Sequence, residues 1–103
     1  MSVLLEFSIF PTDKGSSVSA YVSKVIDMIR SSGADYRLTP MGTVVETETM
    51  DAALEILQKA FEVLEPDSDR VYCSAKFDIR KGTNNRMESK IASIEGKIGE
   101  VAQ

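Results

Sequence analysis

Two stretches near opposite ends of the chain alternate in polarity with a period of two. "VLLEFSIF" sets Val3, Leu5, Phe7 and Ile9 on one side and Leu4, Glu6, Ser8 and Phe10 on the other. "RVYCSAKFDIR" does the same, with Val71, Cys73, Ala75, Phe77 and Ile79 opposed to Tyr72, Ser74, Lys76 and Asp78. Two is the side-chain period of a β-strand. Each strand therefore offers one apolar face, and such a face has to be buried against another layer. Whatever lies between must supply that layer.

It does so with helical stripes. After Pro11 stops the first strand, "PTDKGSS" reads as a loop. Ser16 or Ser17 then caps a helix over about residues 17–31, whose stripe is Val18, Val22, Val25, Ile26 and Ile29 and whose end is marked by Gly33. "ADYRLTP" is a short strand closed by Pro40, "MG" a turn and "TVVETE" another strand. Thr49 caps a second helix with the stripe Ala53, Leu54, Leu57, Ala60, Phe61 and Leu64, and Pro66 ends it. Beyond the last strand, Asn85 with Glu88 resembles a capping box, and Ile91, Ile94, Ile98 and Val101 form a narrow seam on a third helix. The order predicts an α+β fold: a ferredoxin-like βαββαβ sandwich with a four-stranded antiparallel sheet and an extra C-terminal helix. Strands one and three are expected at its centre, with the two crossover helices on one face.

The chain has 103 residues, enough for one domain, residues 1–103, that buries roughly two-thirds of its unfolded surface. A formal net charge of −4 argues against a nucleic-acid surface, which needs clustered Lys and Arg. There is no histidine, so the commonest general base and metal ligand is missing. The single cysteine, Cys73, excludes an intrachain disulfide and is expected in the core as a small hydrophobe. No stretch has the length of a signal peptide's apolar region with basic flank, or of a membrane span; a cytoplasmic protein is expected.

With helices on one face only, the other face of the sheet meets water or a partner. Carboxylates without partners do not belong in a core, so Glu46 and Glu48 are expected on the open face near Glu6 and Lys76, with Thr43 and Val45 turned inward. Such a face fits a solvated charge ladder, a self-association surface or a ligand site. The "DKGSS" loop, with Lys14, could hold an anion at a helix start or serve as a plain cap. Arg80, Lys81 and Arg86 could likewise bind an anion or form a solvated basic loop. An acylphosphatase-like enzyme is disfavoured, because the first loop has no Arg and Asn84 and Asn85 follow the last strand. RNA binding is disfavoured by Glu6, Glu46 and Glu48 on the open face.

"SSGADYRLTPMGTVVETE" resembles the hallmark of a family of small ferredoxin-like proteins described as thiamine-binding: Ser-Gly at a helix end, a Tyr strand, Pro-Met-Gly-Thr, a branched pair and Glu-x-Glu. "DRVYCSAKFDIRKG" is similar to the family's Arg-Val-Tyr strand, and "KIASIEGKI" to its C-terminal segment. Thr47 stands where the family usually has Gly. The resemblance implies a non-enzymatic binder of thiamine or hydroxymethylpyrimidine, without nucleic-acid or membrane partners, assembled as a homotetramer from two dimers. It also implies a ligand site at Thr43, Glu46, Glu48 and Ser17. Glu46 would pair with the aminopyrimidine, and Tyr36 or Tyr72 would complete an aromatic surround for the thiazolium cation.

Overall fold

A computed structural model describes all of residues 1–103. Its elements are β1 (Ser2–Pro11), α1 (Ser19–Ser32), β2 (Asp35–Thr39), β3 (Gly42–Thr47), α2 (Met50–Leu64) with a 3₁₀ turn at Glu65–Asp67, β4 (Val71–Arg80) and α3 (Arg86–Ile98). The sheet is antiparallel throughout, in the order β2-β3-β1-β4, so the expected βαββαβ topology with a third helix is what forms. β1 is central and pairs with β4 along its whole length, from Ser2 opposite Arg80 to Pro11 opposite Val71. Its pairing with β3 is shorter and runs only from Val3 opposite Thr47 to Phe7 opposite Thr43.

The inward face of β1 is the core's backbone. Val3, Leu5, Phe7 and Ile9 pack with Val45 of β3, Val25 and Ile29 of α1, and Ala53, Ile56, Ala60 and Leu64 of α2. The α2 stripe is rotated from the expected one. Ile56 is buried, while Leu54 and Phe61 lie on the exposed side. Thr49 caps α2 as expected, its hydroxyl accepting from the Ala52 N–H at 3.1 Å. α1 differs: its cap position is Val18, no side chain caps it, and Ser17 stays in the loop. That loop is tied down elsewhere, by the Asp69 N–H donating to the Asp13 carboxylate at 2.8 Å. The tight place in the sheet is Gly42, where an added Cβ would lie 2.9 Å from the Phe7 carbonyl oxygen.

Two expectations about layers change. The crossover helices pack over β1 and β3 and cover β4 only in part: Val71 and Phe77 pack against the core as expected, whereas Cys73 is exposed and Ile79 is 51% exposed on the same side. The opposite sheet face is not empty either. α3 folds back beneath it and buries Met87, and with Ile91 it roofs a cleft of about 370 Å³ over Leu4 and Val44. Of the proposed seam, Ile94 and Ile98 remain exposed.

Candidate functional site

The residues expected to share one site fall in three places. β3 separates them by strand parity, since Thr43 and Val45 face the crossover helices while Val44 and Glu46 face the other way.

Glu46 is on the open face, as expected, but its oxygens are occupied. One accepts from the Ser2 hydroxyl at 2.6 Å and the Arg86 N–H at 2.9 Å; the other accepts from the Met87 N–H at 3.0 Å. These two amides open α3, so Glu46 caps that helix from a distant strand. The first amides of a helix have no partner within it and favour a negative charge. Burial pushes the Glu46 carboxyl up, but the Ser2 hydroxyl, the two amides and the Arg86 charge outweigh it and hold it below its ordinary value. Asn85 occupies the cap position in a left-handed conformation (φ 55°) without a side-chain cap bond. The expected Asn85–Glu88 box therefore does not form. The long-range cap cannot be seen from residues 85–88, because its acceptor lies 40 positions away.

Arg86 completes the lock. It is 4% exposed, not part of a solvated basic loop with Arg80 and Lys81. Its Nε donates to the Ser2 hydroxyl and its Nη2 to the Ser2 carbonyl, both at 3.0 Å. Nη2 also donates to the Asp78 carbonyl. Nη1 pairs with the Asp78 carboxylate at 3.0 Å. The Arg86 and Lys90 side chains hold that carboxyl below its ordinary value. All of this chemistry is spent on fastening α3, and no face of Arg86 is left for an anion.

Glu48 lies past the end of β3, in the bend before α2, beside a polar hollow of about 170 Å³ shared with Asp35, Glu46, Thr47, Asn84 and Asn85. Tyr36 is opposite Val45 and packs half-buried against the core. Tyr72 is on the open face of β4, its ring 5.7 Å from that of Phe10. On the same face Glu6 and Lys76 form a cross-strand ion pair at 2.8 Å, but the ladder with Glu46 and Glu48 does not form.

Thr43 sits elsewhere. It is 5% exposed and lines a cavity of about 220 Å³ on the helix side of the sheet. Val18, Val22, Val25 and Ile26 of α1 form one wall, Phe7–Phe10 of β1 the floor and the Leu38–Gly42 hairpin the other wall. The cavity exists because the β2–β3 hairpin is shorter than β1, so the sheet has a notch beneath the first turns of α1. The Thr43 hydroxyl pairs with no group of the chain. That hydroxyl is open to the cavity and free to meet a molecule held there, and an apolar cleft with a single polar group on its wall is a common form of ligand site. Ser17 is exposed, one residue before Val18. Sequence reading selected Thr43 and missed the rest of the cavity wall, since Val18, Val22 and Ile26 read equally well as plain core.

Other proteins share this sequence pattern and fold. A sequence profile of the family described as thiamine-binding protein matches residues 5–95. A UPF0045 protein of Methanocaldococcus jannaschii is 38% identical over 92 residues, 89% of this chain and 91% of that protein. A crystal structure of that organism's protein superposes with a TM-score of 0.81, covering 90% of this chain and 95% of the other. A UPF0045 protein of Methanothermobacter thermautotrophicus is 32% identical over 93% of this chain and 99% of its own length. At 20% identity, a candidate thiamine biosynthesis/salvage protein of Thermotoga maritima has the same fold, with a TM-score of 0.78 over 91% of this chain and 99% of that one. The profile spans nearly the whole chain and the relatives match over most of their length, so this chain belongs to the thiamine-binding protein family.

Proposed function

We propose that the chain is a non-enzymatic binding protein for thiamine or its hydroxymethylpyrimidine moiety, working in the cytoplasm as a homotetramer built from two dimers. The observation that carries this reading is the Thr43 cavity, considered together with the family. A volume of about 220 Å³ is below the ~300–1,000 Å³ typical for drug-sized ligands. It suits one ring with its substituents, not both rings of thiamine. The pyrimidine enters the notch, Thr43 hydrogen-bonds one of its polar atoms, and the thiazolium extends past Ser17 at the mouth. Glu46 is a helix cap in this reading, and Glu48 and Tyr36 stand outside the ring pocket.

Calorimetry with thiamine and with 4-amino-5-hydroxymethyl-2-methylpyrimidine tests the assignment. Both should bind the wild-type chain, and Thr43→Val should weaken each by about tenfold, the worth of one buried hydrogen bond. Equal affinities would remove Thr43 from the site.

The partly uncovered side of β4 supports the assembly, because Cys73, Ala75 and Ile79 are exposed apolar residues on an edge strand. The same residues favour a second reading, a structural or regulatory oligomer without a ligand of its own. A tetramer by light scattering, with no thermal shift from any pyrimidine, would select that reading.

A further inference from the structure

The β1–β3 ladder stops at Phe7 opposite Thr43, whereas β1 continues beside β4 to Pro11. Residues 8–11 of β1 therefore have a strand on one side only. In an antiparallel strand the N–H and C=O of one residue point to the same side, and successive residues alternate. The Thr12 N–H donates to the Arg70 carbonyl at 2.9 Å, which sets the even-numbered residues of β1 toward β4. The odd-numbered ones point to the β3 side, in agreement with the close approach of the Phe7 carbonyl to Gly42. Ile9 is the first odd residue beyond the ladder. The Pro40–Met41 turn lies where its strand partner would be, and no backbone hydrogen bond joins the two. Ile9 is 6% exposed and lines the same cavity as Thr43. An amide donor and a carbonyl acceptor thus stand side by side at the notch without a strand partner. Native chains leave very few such groups unsatisfied.

We propose that this open strand edge at Ile9 determines the ligand class, by reading the amino group and neighbouring ring nitrogen of a 4-aminopyrimidine. The proposal rests on the cavity reading given above. The amino group donates to the Ile9 carbonyl, and the ring nitrogen accepts from the Ile9 N–H. The flat heterocycle takes up the pairing where β3 leaves off, and Thr43, on the last rung of the ladder, holds a further polar atom. A 4-oxopyrimidine presents the opposite order, an acceptor oxygen beside a ring N–H. It can satisfy the edge only by turning over, which moves its 5-substituent from the mouth to the wall.

The test uses the full-length ¹⁵N-labelled protein titrated with thiamine, with 4-amino-5-hydroxymethyl-2-methylpyrimidine and with oxythiamine, the 4-oxo analogue of thiamine. Binding of the two amino compounds should shift the Ile9 amide resonance and slow its hydrogen exchange by about tenfold or more, while the already paired Phe7 amide changes little. Oxythiamine should bind about tenfold more weakly than thiamine, or worse. If the amino compounds bind and the Ile9 amide neither shifts nor slows, or if oxythiamine binds equally well, the strand-edge assignment is overturned while the cavity reading stands. If neither amino compound binds, both are overturned.

Discussion

A carboxylate in the middle of a strand needs donors, and Glu46 finds three of them. Glu46→Gln keeps one acceptor and loses the charge at the start of α3. The side chain is partly open to solvent, which weakens the charge effect, so a loss of about 1 kcal/mol is expected in denaturant unfolding. The pH dependence has a definite sign. The folded carboxyl is held below its ordinary 4.5, so its contribution is complete above about that pH and is lost as pH falls through the lowered folded value. Wild-type stability should drop on acidification below pH 4.5, with a shallower slope in Glu46→Gln. Thr43→Val should carry no such cost. Replacing a hydroxyl that has no partner in the chain with a methyl group on the wall of an apolar cavity should leave stability unchanged or raise it by up to about 1 kcal/mol, while weakening pyrimidine binding. The acidic pair was legible in the sequence as something other than core, because desolvation forbids it there. Its role was not, since the donors of Glu46 come from Ser2, Arg86 and Met87, far away along the chain.

Among the elements, α3 depends most on a few contacts. It is joined to the sheet through Met87, Ile91 and the Arg86 network, and its last turns carry exposed Ile94 and Ile98. Arg86→Ala removes donors to Ser2 and Asp78 and should cost about 2–3 kcal/mol, the range for hydrogen bonds from a charged group. Hydrogen exchange should show the loss first in α3, with β1 amides protected as before; uniform loss across the sheet would mean that α3 is integral to the core. Strands and crossover helices were legible because periods of 2 and 3.6 are written locally in β1, α1 and β4. The α2 stripe was misread by including Leu54 and Phe61 in place of Ile56, since an apolar-rich helix offers more than one plausible face. The isoleucine seam of α3 does not show how the helix docks, because Met87 and Arg86 lie at its first turn, before that repeat begins.

For the whole molecule, the uneven layers decide what is left open: a partly uncovered edge strand at β4 and a notch where β3 falls short of β1. Cys73 was expected to be buried because its strand alternates, but alternation fixes the side of the sheet and not whether a helix reaches that far. If β4 is the tetramer contact, Ile79→Asp should lower the mass seen by light scattering from four chains, without loss of helical circular dichroism. An unchanged mass would place the contact elsewhere. The notch was invisible in the sequence, because it arises from a difference in strand lengths and not from any motif. The most direct measurement on it is a crystal structure of the full chain grown with 4-amino-5-hydroxymethyl-2-methylpyrimidine. The ring is expected between α1 and the β2–β3 hairpin, within hydrogen-bond distance of Thr43 and of the Ile9 backbone. A ring bound instead on the open face, beside Glu46 and Glu48, with the notch unfilled would contradict the account.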